Sequence, residues 1–148
     1  MEDVGEIHIR INTQELRRAC ILGDLEEVEE ILGNYEVDIN GGGGDAPLLC
    51  AVLSGHPDVV RRLLDYPGVR LDQNAFFSGD TALHMACEMN RLSIVNLLCQ
   101  DSRCTPSVVN MKDREGNTPL MRAVLYGHLD IVKELDKEGT DFFTKDEE

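Results

Sequence analysis

The stretch Thr118-Pro119-Leu120-Met121-Arg122-Ala123-Val124-Leu125-Tyr126-Gly127-His128 governs how the rest of the chain is read. Thr118 can cap a helix start with its hydroxyl, and Pro119 suits the first helical position, where no N–H is needed. Leu120 and Ala123 then face inward, with Ala allowing close approach of a neighbouring helix. Gly127 ends the helix because that corner requires positive φ. Three earlier segments fall into the same register: Thr81 to Arg91, Ala46 to His56 and Gln14 to Asp24. Gly23 and Gly55 stand at the corner, and Asn90, the next most tolerant residue there, replaces Gly in the third copy. The shared leucine recurs at Leu16, Leu48, Leu83 and Leu120, in steps of 32, 35 and 37 residues.

A second apolar pattern follows each segment: Val28/Ile31/Leu32, Val60/Leu63/Leu64, Val95/Leu97/Leu98 and Val132/Leu135. Loops rich in Gly, Asp and Asn separate the copies, at 40–45, 78–80 and 114–117. One unit is therefore helix, tight turn, helix, long turn. No such short pair can bury its apolar face alone, so neighbouring units must stack into one elongated core. The expected fold class is all-α, a solenoid.

These units resemble the ankyrin repeat, whose signature pairs Thr-Pro-Leu-His-x-Ala with a later Gly-His. The matching residues are Thr118-Pro119-Leu120, Thr81-x-Leu83-His84-x-Ala86, Gly55-His56, Gly127-His128 and Val37-Asp38-Ile39-Asn40. The first copy lacks the Thr-Pro-Leu-His stretch, which fits a terminal capping repeat. The segment Cys99 to Pro106 lengthens the exit loop of the third. The resemblance implies four repeats over residues 12–143, at about 12–44, 45–77, 78–114 and 115–143, with long turns projecting as β-turn fingers. Residues 1–11 are expected to be an extension packing on the first repeat, extended in conformation because Glu6 to Ile11 alternates apolar and polar. Residues 143–148 align with 110–115, so 144–148 are expected to be the start of a truncated further repeat or an acidic tail. The first alternative makes the chain a fragment of a larger protein.

Composition narrows the function. The chain has 148 residues, is 42% hydrophobic and lacks Trp, which is enough for one aliphatic core. Its formal net charge is −14, unevenly spread: −9 over residues 1–45, −1 over 46–110 and −4 over 111–148. This excess argues against a nucleic-acid partner, since phosphate binding relies on Lys and Arg. The acidic face around Glu26, Glu27, Glu29 and Glu30 serves solubility or steers a basic partner. No apolar run is long enough for membrane insertion. An acidic start and five cysteines, an odd number, point to a reducing compartment, cytoplasmic or nuclear.

Signals for catalysis are absent. His8, His56, His84 and His128 follow no metal-ligand spacing. The resemblance makes His84 a local structural hydrogen bonder and puts His56 and His128 at helix corners. Cys20 and Cys87 take the small inward position. Cys99 and Cys104 lack the partners a zinc site needs. The glycine run 41–44 has no following Lys-Ser/Thr and reads as a turn rather than a phosphate cradle. No enzyme activity, cofactor or metal is expected.

The resemblance implies binding of a protein or peptide through a concave groove lined by first helices and fingers. The residues it places there are Phe76, Phe77, Asp80, Met85, Glu88, Met89, Arg122, Leu125 and Tyr126. Two adjacent aromatics in a turn are the most pointed signal, since aromatic and Met side chains anchor interfaces. Phe76, Phe77, Met89 and Tyr126 are expected to form one apolar patch flanked by Asp80, Glu88 and Arg122. It would grip a short apolar segment bearing basic residues. Phe76 or Phe77 could instead fold back, and Met85, Leu53 and Leu125 could be contacts between adjacent helices. The expected function is a non-catalytic interaction module, monomeric and part of a larger protein; the alternative is a structural spacer array without a tight partner.

Overall fold

The computed structural model describes residues 3–41, 45–75 and 77–137. Among them are nine helices and no strand: α1 (Val4–Leu22), α2 (Leu25–Asn34), α3 (Pro47–Ser54), α4 (Pro57–Leu64), α5 (Ala82–Glu88), α6 (Leu92–Gln100), α7 (Pro106–Val109), α8 (Pro119–Leu125) and α9 (Leu129–Lys137). Helices α1, α3, α5 and α8 pack side by side in chain order, and α2, α4, α6 and α9 form a second row behind them. This is the solenoid the repeat requires.

Its core follows from the register. Leu16, Leu48, Leu83 and Leu120 are buried, and Ala19, Ala51, Ala86 and Ala123 are wholly so, which lets successive first helices approach closely. Val28, Val60, Leu63, Val95, Leu98, Ile131 and Leu135 fill the second row. Each repeat start is made locally: Thr81 and Thr118 accept hydrogen bonds from the N–H groups of His84 and Met121, and prolines open α3, α4 and α8. The corners turn at Gly23, Gly55 and Gly127, with φ of 73°, 79° and 73°, and at Asn90 with φ 58°. Asn90 thus takes the left-handed conformation its position demands.

One expectation is corrected. Residues 6–11 are not extended; they form the first turns of α1, which runs unbroken from Val4. Ile7 and Ile11 are also spaced for a helix, and adding turns to an existing helix costs far less than nucleating one. Thr13 Oγ1 donates to the Ile9 carbonyl within the helix (2.8 Å) and accepts the N–H of Asp38 (2.8 Å). Val4, Ile7 and Ile11 are exposed, so the extension continues α1 rather than lying across the repeat.

The lengthened exit of the third copy is a tight turn followed by α7. Arg103 pins it, pairing with Asp101 (2.7 Å) and donating to the carbonyls of Val69 (2.9 Å) and Leu64 (2.6 Å) in the preceding repeat. The fingers are closed by their own backbones: Ala75 N–H bonds Asp80 O (2.7 Å), and Asp113 N–H bonds Asn117 O (2.9 Å). Arg114 N–H reaches Ser78 O (3.3 Å) and joins the two fingers. The glycines at 42–44, Phe76 and the tail from 138 onward lie outside the described residues.

Candidate functional site

Register places side chains in columns. Ile21, Leu53, Glu88 and Leu125 occupy equivalent positions of successive repeats, as do Leu22, Ser54, Met89 and Tyr126. Because the first helices stack in order, each column is a stripe across one face. Ile21, Leu22, Leu53, Met89, Leu125 and Tyr126 are all exposed, with Leu125 at 68%. Phe77, on the second finger, is 85% exposed beside this stripe. Tyr126 stacks on His128 with ring centroids 6.3 Å apart, and His128 Nε2 lies 3.0 Å from the Glu88 carbonyl.

Three expected contact residues are largely buried. Arg122, Asp80 and Met85 are only 7%, 8% and 8% exposed. Met85 belongs to the buried core and also lines the cleft beside Leu53 and Met89. Arg122 fills the column that holds Arg18, Cys50 and Met85 in earlier repeats; Arg18 is exposed there, and the Arg122 guanidinium can be buried only with carboxylates around it. It donates through Nε to Asp113 Oδ2 (2.9 Å) and through Nη2 to the same oxygen. It also bonds Glu88 Oε1 (2.9 Å) and Glu115 Oε1 (2.9 Å), and stands 3.5 Å from Asp80 Oδ1. One cation therefore ties α5, α8 and both fingers together. Asp113 and Glu115 carry no sequence signal for this role, because Arg18 in the same column is exposed and pairs with Glu15 three residues before it.

Electrostatics follow from this packing. Burial pushes the Asp80 carboxyl up to about 6, against the hydrogen bond from Ser78 and with help from neighbouring Asp113. For Asp113, burial is outweighed by the Asn117 backbone N–H and by Arg122 and Asp80, and its carboxyl is held below the usual range. His84 is kept neutral by burial. Its Nδ1 accepts the Thr81 N–H (3.1 Å), so Nε2 carries the proton and donates to Asn117 O (2.7 Å).

Asp80, His84 and Asp113 bring potential metal-ligating atoms within 4.8 Å of one another. His84 Nδ1 is committed to Thr81 and Asp113 Oδ2 to the Arg122 guanidinium, which also stands 3.5 Å from Asp80 Oδ1, so the cluster fits an ion-pair network rather than a metal centre. Burial, with neighbouring Cys50, pushes the Cys20 thiol up to about 12, and Cys87 is pushed up by burial beside Cys104. Neither is an activated nucleophile. None of the five cysteines forms a disulfide. No helix among the described residues is long and apolar enough to cross a membrane.

Comparison with known proteins agrees with this architecture. A family model of ankyrin repeats in three copies matches residues 16–108 and again 72–146. NF-kappa-B inhibitor alpha of Rattus norvegicus is 36% identical over 102 residues, covering 64% of this chain and 30% of its own length. The B-cell lymphoma 3 protein homolog of Mus musculus is 35% identical over 113 residues, 74% of this chain and 24% of its own. The mitochondrial glutaminase liver isoform of Rattus norvegicus is 38% identical over 86 residues, which reach only 14% of that enzyme. The matched region thus spans less than a third of any of these relatives.

Proposed function

The chain belongs to the ankyrin-repeat family, a non-catalytic interaction fold, and on that footing we propose that it binds a polypeptide along the stripe formed by its first helices and second finger. The observation that carries this reading is the row of exposed apolar side chains at two adjacent register positions, Leu53 and Leu125 in one and Met89 and Tyr126 in the next, with Phe77 beside them. None of these is needed to fill the core. A spacer array has no use for such a stripe, because each side chain adds apolar area to water without stabilising the stack. One relative is by name an inhibitor of NF-kappa-B, and action on another macromolecule supports a binding role here.

The partner we propose is an apolar segment carrying basic residues, since the face is rimmed by Glu88 and Asp45 on a chain of net charge −14. Five cysteines without a disulfide support a reducing compartment, cytoplasm or nucleus. The test replaces Leu53, Phe77, Met89 and Tyr126 with Ser. Pull-down from lysate, read by mass spectrometry, should lose the proteins captured by the natural chain while the melting curve stays within about 3 °C. Undiminished capture would show that the face is not the site.

A further inference from the structure

Between the second finger and the ends of α3 and α5 lies a cleft of about 250 Å³. Its walls are apolar, built from Leu53, Phe77 and Met89, and its polar groups are the carboxylates of Asp45, Asp80 and Glu88. That volume falls below the roughly 300–1,000 Å³ of sites that enclose a whole small molecule, so one side chain is the matching size. The charge around it is unbalanced. Arg122 is a single cation against Asp80, Glu88, Asp113 and Glu115, and Asp45 adds a further carboxylate at the rim. Lys112 and Arg114 line the neighbouring cleft on the other side of the finger, with Gly79 and Asp113. No cationic residue lines this one among the described residues. Asp80 is itself buried and its Oδ1 accepts no hydrogen bond, Arg122 Nη2 standing 3.5 Å away.

We infer that this cleft is a socket for one long aliphatic cationic side chain, a lysine or arginine of the polypeptide that lies along the stripe. The inference rests on the protein-binding reading and adds a specificity to it. The methylene stem would lie against Leu53, Phe77 and Met89, while the cationic head meets Glu88 and Asp45, the division that lysine and arginine stems make elsewhere. Negative potential in a partly enclosed, low-dielectric cleft favours a charged tip over an isosteric apolar one.

The experiment titrates the full ¹⁵N-labelled chain with a capped pentapeptide, lysine between two leucines with glycine at each end. The same peptide with norleucine for lysine keeps the stem and removes the charge. Amide shifts should centre on Leu53, Phe77, Glu88 and Met89, and the lysine peptide should bind about tenfold tighter than the norleucine peptide. Glu88→Gln should erase most of that ratio. Because Glu88 also bonds Arg122, Asp45→Asn is the second variant, and it should lower the ratio several-fold; the melting curve of each variant is recorded alongside. Equal binding of the two peptides at the cleft would overturn the socket while leaving the binding face standing. Shifts scattered over the acidic α2, or none at millimolar peptide, would also overturn it. Failure of the face itself is read separately, in the capture experiment with the serine variant.

Discussion

Arg122 is the residue on which two repeats and two fingers converge. Asp113 beneath it has no exposed side-chain surface, and its Oδ1 accepts the N–H groups of Glu115 and Asn117 (both 2.9 Å). Arg122→Ala would leave that carboxylate buried without its cation, and we expect a loss of about 3 kcal/mol in urea unfolding. Arg122→Met together with Asp113→Asn should recover part of it; an unchanged midpoint for the alanine variant would remove the network as a stabilising feature. Asp80 makes a second prediction. Its folded value, about 6, lies above its ordinary 3.8, so the folded protein keeps a proton that the unfolded chain releases. Stability from this group is full below the ordinary value and is lost as pH rises through about 6. Asp113, shifted the other way, contributes stability that is lost only as pH falls through its lowered value. Between about pH 7 and pH 5 the Asp80 effect dominates this pair, so acidification should raise the melting temperature of the natural chain relative to Asp80→Asn. Parallel pH profiles for the two would refute it. Neither effect was legible from sequence, because Asp80 and Arg122 are 42 positions apart and only the stacking of repeats brings them together.

At the scale of the element, the corners between helices show which glycines are required by more than φ. A Cβ on Gly23 would come within 2.6 Å of the His56 ring, whose Nε2 lies 3.0 Å from the Ile21 carbonyl. A Cβ on Gly127 would meet nothing within 4 Å among the described residues. Both have φ 73°, so both alanine variants carry the left-handed penalty of about 1–2 kcal/mol. Gly23→Ala must in addition displace His56, and we expect it to cost about 1 kcal/mol more than Gly127→Ala in thermal unfolding. Equal costs would mean that the His56 staple contributes nothing. The helix starts, corners and row assignments were readable because capping, positive φ and the 3.6-residue period are local. The start of α1 was misread for the same reason: an alternating hexapeptide satisfies two periods at once. What extends the helix there is attachment to turns already formed, which six residues alone do not reveal.

Across the whole molecule, stability is shared between neighbours. Leu63 is fully buried in α4, which packs on α2, α3 and α6. Leu63→Ala should cost about 3 kcal/mol. In a stack whose repeats interact chiefly with their neighbours, hydrogen exchange should accelerate most in α3 and α4, next in α2, α5 and α6, and least in α8 and α9. Uniform acceleration over all helices would argue for a single globular core. The order of the rows, the aliphatic core and the apolar character of the exposed stripe were all determined by the amino-acid sequence, since each depends on residue types recurring in a fixed register. Which of the nine expected contact residues are exposed was decided only by the tertiary structure. Phe77, Met89, Leu125 and Tyr126 stand out, while Asp80, Met85 and Arg122 turn inward; Phe76 lies outside the described residues. The reason is physical: register states which column a residue occupies, but its burial depends on what the adjacent repeat places opposite. A guanidinium goes inside only where folding has already gathered carboxylates to receive it.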